Sequence, residues 1–299
     1  MATIKKNTVS GSEYYYLEHS MREGGKVVKK VVYLGKDIPS DIDKRKRAFM
    51  LELYKEKWFS KFEMIKRNYS REQKAKPPSA RLKDMQAFAT RFTYDTQRIE
   101  GSSLTLRETA NLLEHGITPN EKPIGDVYEA EAHRQVFYEM LDYGKDLSLQ
   151  AVLLWHKRLF EKTKPDIAGR IRNYRVGISG SNVMLPLPAE LDFMLHEFFS
   201  WYNSNKGKLN PVELAALVHL KFVTIHPFGD GNGRISRLMM NFVLNKHGYP
   251  MLDIPYVKRS SYYSALERSQ TKGDGSPFLS WFFRHYLKEY GRLSGRQGS

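Results

Sequence analysis

At 299 residues, 41% of them hydrophobic and 27% charged, the chain is long enough for one large or two modest globular domains with a substantial core. It carries no cysteine, which excludes disulfide and thiolate chemistry, and no run of about 18 apolar residues, so no helical membrane span is indicated. The formal net charge is +15, and residues 1–80 hold 19 Lys and Arg against 10 Asp and Glu, a balance that favours anionic partners: nucleotides, nucleic acid or an acidic protein face.

The N-terminal stretch MATIKKNTVS lacks the apolar segment of a secretory signal, and the expected setting is cytoplasmic. Residues Tyr14 to Leu17 and Val27 to Leu34 read as two strands, with Glu23-Gly24-Gly25-Lys26 as the turn, because paired glycines tolerate positive φ. Pro39-Ser40-Asp41 then starts a long basic helix in which Phe49, Leu53, Trp58, Phe62 and Ile65 recur at helical spacing. A basic helix of this kind can bind nucleic acid, and more often it is simply an exposed helix with one packed face. Lys76-Pro77-Pro78-Ser79 breaks the pattern and marks the expected domain boundary, giving an N-terminal region 1–76, a main domain 77–290 and a disordered tail 291–299.

Leu82, Met85, Phe88, Phe92 and Ile99 mark the next helix, which Gly101 stops. Thr105-Leu106-Arg107-Glu108 is a capping box and opens a short helix. Two helical patterns follow, 129–141 and 147–160, the second carrying His156, which is expected to be structural because nothing near it has ligand or triad spacing. Residues 169–188 change character and read as a small hairpin with Ser179-Gly180-Ser181-Asn182 at its tip, an edge that can pair with an extended peptide. Helices resume at 189–202 and 211–225, and further ones follow at 235–247, 260–270 and 278–290.

Between the two most hydrophobic helices lies His226-Pro227-Phe228-Gly229-Asp230-Gly231-Asn232-Gly233-Arg234-Ile235-Ser236-Arg237. The glycines let backbone amides converge on an anion at a helix N-terminus, where free N–H groups and the positive dipole end favour negative charge. Arg234 and Arg237 supply guanidinium forks that match phosphate oxygens and share a helix face. Asp230 is a hard oxygen ligand, and one carboxylate plus phosphate oxygens is how proteins commonly hold magnesium. His226 titrates in the range a general base needs. The conjunction points to phosphoryl or nucleotidyl transfer to a hydroxyl; a Walker loop and the kinase motifs do not occur.

This dozen residues resembles the signature of the Fic family, His-Pro-Phe-x-Asp/Glu-Gly-Asn-Gly-Arg-x-x-Arg, with no departure at the defining positions, and the likeness covers about residues 82–290. The resemblance implies a mainly α fold, a Fic-type helical bundle with a small β-hairpin flap, here preceded by the N-terminal hairpin and long helix. It implies transfer of AMP from ATP, with Mg2+, to a Ser, Thr or Tyr hydroxyl of an unidentified protein, on a partner or on the chain itself. Carried over by position, His226 is the base and Asp230 the metal ligand. Gly231, Asn232, Gly233, Arg234 and Arg237 bind phosphates, and Tyr263 and Gln270 lie where relatives contact adenine and ribose. Val176, Ile178, Val183, Met184 and Leu185 belong to the flap that docks the target strand.

Thr96-x-x-x-Glu100-Gly101 resembles the family's inhibitory helix, which implies that Glu100 pairs with Arg237 and denies it to the γ-phosphate, or supports removal of AMP. Homo-oligomers are also compatible with this reading. The alternatives are a phosphotransferase or a user of another nucleotide, against which Gly233 stands where phosphotransferase relatives carry Lys, and a nucleic-acid-binding regulator with a secondary nucleotide site.

Overall fold

The computed structural model describes residues 2–23, 26–178, 180–181 and 183–295, the side chains of residues 23 and 56 excepted. Contacts divide the chain into two compact units, Met1–Ser60 and Lys61–Ser299.

In the first unit, β1 (Thr3–Val9), β2 (Ser12–Glu23) and β3 (Lys26–Gly35) form an antiparallel sheet in the order β1-β2-β3. The two-strand expectation missed β1, whose residues Lys5-Lys6-Asn7-Thr8 carry no apolar alternation to announce a strand. Its pairing is set by the partner: Ile4 lies opposite Leu17, the most buried residue of β2, and Ser10-Gly11 turn with positive φ. The tip of the expected second turn, residues 24–25, lies outside the described residues. Helix α1 (Ile42–Ala75) begins in this unit, where Tyr54 meets His19 of β2 at 3.4 Å and stacks on Trp58.

The contact division falls within α1 rather than at residue 76. The second half of that helix spends its apolar face on the second unit, where Phe62 and Ile65 are fully buried and Phe62 packs edge-on against Phe283 and Tyr286. Of the expected tail, residues 291–295 are described and residues 296–299 lie outside the described residues. Gly291–Ser294 forms a turn of 3-10 helix, with Leu293 buried, its carbonyl accepting from Asn68 at 2.8 Å, and Arg292 paired with Glu72. Buried Leu293 gives this otherwise polar segment an anchor that its composition hides.

The second unit is helical: α2 (Pro78–Ile99), α3 (Leu106–His115), α4 (Ile124–Asp142), α5 (Leu149–Phe160), α6 (Leu191–Asn205), α7 (Pro211–Ile225), α8 (Asn232–Lys246), α9 (Arg259–Lys272) and α10 (Ser276–Glu289). At its centre α7 packs on α8. Val212, Leu214, Ala215, Ala216 and Val218 of α7 and Ile235, Leu238, Met239, Met240, Val243 and Leu244 of α8 are buried on more than one face, and α8 buries polar Asn232, Arg234, Ser236, Arg237 and Asn241 as well. Helix α7 also contacts α6 and α10, while α4 contacts α2, α5 and α8. Among the described residues no helix is long and apolar enough to cross a membrane.

The local signals hold where local chemistry suffices. The Thr105 hydroxyl accepts from the Glu108 amide while the Glu108 carboxylate accepts from the Thr105 amide at 2.8 Å, and Gly116 caps the end of α3 in the left-handed region. The expected flap hairpin does not form a strand ladder among the described residues of 176–188. Pro186 and Pro188 have no amide to donate, and the carbonyls of Tyr174 and Pro186 are taken by Arg172. Residues 179 and 182 of the expected tip lie outside the described residues.

Candidate active site

Helix α7 ends because His226 adopts the left-handed region, φ 52°, and its amide still closes onto the Phe222 carbonyl. A branched imidazole there is strained, and the surroundings must hold it. Its Nδ1 faces the Val223 carbonyl at 3.2 Å; an Nδ1–H donating there leaves the Nε2 lone pair free to accept a proton. Burial lowers its pKa below the ordinary imidazole value, the Val223 contact opposes this, and the charge of Arg172 adds to the fall, so the ring is neutral at pH 7.

The loop after it is anchored from beneath. Phe228 is buried and stacks on His156 with centroids 3.7 Å apart. His156 in turn meets the Asp230 carbonyl at 3.0 Å and accepts from the Gly169 amide at 2.9 Å, and burial lowers its pKa to about 4. It therefore shapes the loop as a neutral residue. The Asn232 side chain accepts from the Phe228 amide and donates to the Phe228 carbonyl, both at 2.9 Å, so it closes the loop instead of projecting into the phosphate hollow. Gly231 sits at φ 80°, and a Cβ there would lie 2.3 Å from the Phe160 ring; no other residue fits.

Helix α8 starts at Asn232 with no side chain capping its first amides, which leaves them open to an anion. Around that terminus the charges are arranged in pairs. Asp230 accepts from Lys164 at 2.6 Å, Arg234 at 2.9 Å and the Gly231 amide at 2.5 Å. Burial pushes its pKa up, but Arg234 and Lys164 outweigh that and hold it well below the usual carboxylate range. Arg234 is buried, pairs also with Glu129, and lies over the Phe160 ring at 4.5 Å; its Nε has no partner among the described residues.

Arg237 is buried and meets the Thr96 hydroxyl and carbonyl, each at 3.3 Å, Tyr262 at 3.3 Å, and the Glu100 carboxylate at 2.5 Å. Thr96 and Glu100 are one turn apart on the end of α2, so both reach the same guanidinium. Glu100 also presses on Gly233, where a Cβ would fall 2.3 Å from its Oε1. Tyr262, absent from the residues singled out by sequence, receives His219 at 2.9 Å on its hydroxyl, and His219 reaches Ser236 behind it.

The remaining expected residues lie further out. Tyr263 donates to the Ile99 carbonyl at 3.4 Å, and the side-chain nitrogen of Gln270 is buried without a partner among the described residues. Val176, Ile178, Val183 and Leu185 are half-buried, whereas Met184 is 94% exposed. Ser181 ties this segment to α9 by donating to Glu267 at 2.9 Å. Sequence reasoning missed Glu129, Lys164, Arg172 and Tyr262. Each lies tens of residues from its partner, and no spacing rule signals such a pair.

Among the described residues no cluster of three or more His, Cys, Asp or Glu could hold a metal ion alone. The single carboxylate of Asp230 beside open helix amides and the unpartnered Nε of Arg234 fits a magnesium ion that shares its coordination with phosphates.

Residues 146–244 match the model of the Fic/DOC family. Two proteins named protein adenylyltransferase Fic, from Drosophila sechellia and Drosophila melanogaster, are each 35% identical over 190 residues, covering 62% of this chain and 38% of the relative. The chain thus matches well under half the length of those curated relatives. A Fic-domain-containing signaling protein from Bacteroides thetaiotaomicron superposes with a TM-score of 0.67 at 28% identity, over 77% of this chain and 96% of that one. Fic-1 (residues 134–508) from C. elegans superposes with a TM-score of 0.72 at 25% identity, over 88% and 78%. The matched segment, the helical fold and the loop from His226 to Arg237 make this chain similar to Fic-domain proteins, among them those named protein adenylyltransferase Fic.

Proposed function

We propose that this chain is a protein adenylyltransferase held in a low-activity state by Glu100. The observation that carries the reading is the neutral imidazole of His226 ending α7 where the uncapped N-terminus of α8 begins. The target hydroxyl oxygen attacks the α-phosphorus of ATP and its proton passes to Nε2 of His226. The bond from that phosphorus to the bridging oxygen breaks, and pyrophosphate leaves. The amides opening α8 and the guanidinium of Arg234 stabilise the charge that builds on the phosphate oxygens. Asp230, together with the phosphates, would hold Mg2+, which would supply further charge neutralisation. Arg237 is the second guanidinium of the site, and the Glu100 carboxylate occupies it.

The acceptor is a Ser, Thr or Tyr hydroxyl of a protein, on a separate target or on this chain. The segment 176–185, with Met184 outward, is the surface offered to it. A cytoplasmic setting belongs to the same proposal. Transfer of the γ-phosphoryl group is disfavoured because Gly233 stands where phosphotransferase relatives carry Lys.

The test is intact-mass measurement after incubation with MgATP labelled at the α or the γ position. Glu100→Gly gains α-label and the mass of AMP, wild type gains little, and His226→Ala gains none. Transfer of γ-label overturns AMP as the group, and no gain in Glu100→Gly overturns the inhibition.

A further inference from the structure

The outward face of the N-terminal sheet is built unusually. Side chains alternate along β2, so Tyr14 and Tyr16 lie on the face opposite Leu17, which is 1% exposed and belongs to the core side. Tyr33 of β3 stands across from Tyr16, and its ring centroid is 5.3 Å from that of Tyr16 and 6.2 Å from that of Tyr14. A single cross-strand aromatic pair is a common way to stabilise a sheet. Here three rings converge, and Tyr33 remains 54% exposed.

Cations flank the rings. Lys5 pairs in register with Tyr16 from β1, Lys29 with Ser20 from β3, and Arg22 lies further along β2, all on the tyrosine side. The acidic residue on that side, Glu18, is bound by Lys29 at 2.7 Å. Lys5 and Arg22 are exposed and have no acidic partner among the described residues. Two unspent cations beside one exposed ring, Tyr33, and two half-buried ones, Tyr14 and Tyr16, match a ligand with both a polyanionic backbone and flat apolar faces.

We infer that the outer face of the β1-β2-β3 sheet binds single-stranded nucleic acid, with Tyr14, Tyr16 and Tyr33 stacking on bases and Lys5 and Arg22 along the phosphates. Every base has a face that stacks, so the site is sequence-tolerant. Paired bases are stacked on one another already, so a duplex gains only the cations. An acidic peptide would satisfy the lysines but gives the rings no role. This inference places nucleic acid on the sheet and not on the basic run Lys44 to Arg47 that opens α1.

The experiment uses the full chain and fluorescently labelled oligothymidylate, the matching RNA and a duplex of the same length, followed by anisotropy across a salt series. Single strands bind more tightly than the duplex. Tyr16→Ala and Tyr33→Ala each weaken binding about 5- to 100-fold, whereas Tyr16→Phe and Tyr33→Phe, which keep the ring, bind as wild type. Lys5→Gln and Arg22→Gln each reduce the slope of log K against log salt by about 0.7. Circular dichroism establishes that the variants fold. The inference is overturned if single strands do not bind, or if the tyrosine-to-alanine variants bind unchanged. It is equally overturned if only Lys44→Gln and Lys46→Gln lose binding, or if a polyglutamate peptide binds with the same dependence on the three rings.

Discussion

The Nε–H of Arg172 donates to the main-chain carbonyl of His226 at 2.8 Å. The other arms of the same buried guanidinium donate to the carbonyls of Tyr174 and Pro186 at 2.9 and 2.8 Å, and the Arg172 amide donates to the Pro227 carbonyl. One side chain thus fixes the left-handed backbone of the proposed base and both flanks of the segment proposed to dock the target. Only a planar fork reaches three carbonyls together. Arg172→Lys keeps the charge and loses the fork. The expected result, read in a Glu100→Gly background, is a fall in kcat of about 10- to 100-fold, with nucleotide affinity measured by calorimetry unchanged. Arg172→Leu leaves three part-buried carbonyls without this donor, water can replace it in part, and the cost in urea unfolding is about 1–3 kcal/mol in all.

Glu100 and Gly233 compete for one volume. Because the added Cβ of Gly233→Ala would lie 2.3 Å from the Glu100 carboxylate, that substitution displaces the carboxylate or strains α8. In a double-mutant cycle, Gly233→Ala destabilises the wild-type chain by about 1–3 kcal/mol and costs much less with Glu100→Gly already present. Additivity of the two changes would show that they do not share space.

Activity is expected to persist below the pH at which an ordinary histidine becomes protonated. Burial, together with the charge of Arg172, lowers the pKa of His226, so the neutral base survives as the solution becomes acidic. The acid limb of log kcat/KM against pH is expected below about 6.5, the ordinary histidine value. Arg172→Leu removes one of the lowering charges, and the limb moves up.

Stability has the opposite pH sensitivity. His133 and His156 are buried and neutral, their pKa values lowered by burial to about 3 and about 4, and His219 is lowered well below its usual value. The unfolded chain binds protons on these residues near pH 6.5, where the folded chain does not. Their contribution is therefore complete above that pH and is lost as pH falls from about 6.5 towards 4, each residue costing up to about 1.4 kcal/mol per unit. Urea unfolding at a series of pH values reads the slope, and His133→Gln makes it shallower by close to one proton.

The helices, the caps and the loop were legible in the sequence because each depends on neighbours a few residues away. Apolar spacing marks α7 and α8, the Thr105–Glu108 box marks α3, and the glycines mark an anion-binding turn. Thr96 and Glu100 could be singled out only through the resemblance of Thr96-x-x-x-Glu100-Gly101 to the family's inhibitory helix. Strand β1 was not legible, since its polar residues take their register from β2. The flap misled because its β-prone residues say nothing of Arg172, which occupies carbonyls a ladder would need.

By itself the sequence determined that a base, a carboxylate, a glycine turn and two guanidinium groups stand in order at a helix junction. Only the tertiary structure decided what each is doing. Arg234 meets Glu129 from 105 residues away, Asp230 meets Lys164 from 66, and Arg237 meets Glu100 from 137. Such pairs form because packing the apolar faces of α2, α4, α7 and α8 brings those residues together, and a buried charge must then find its partner there. Periodicity specifies which face of a helix is buried; it does not specify which charge lies on the helix opposite.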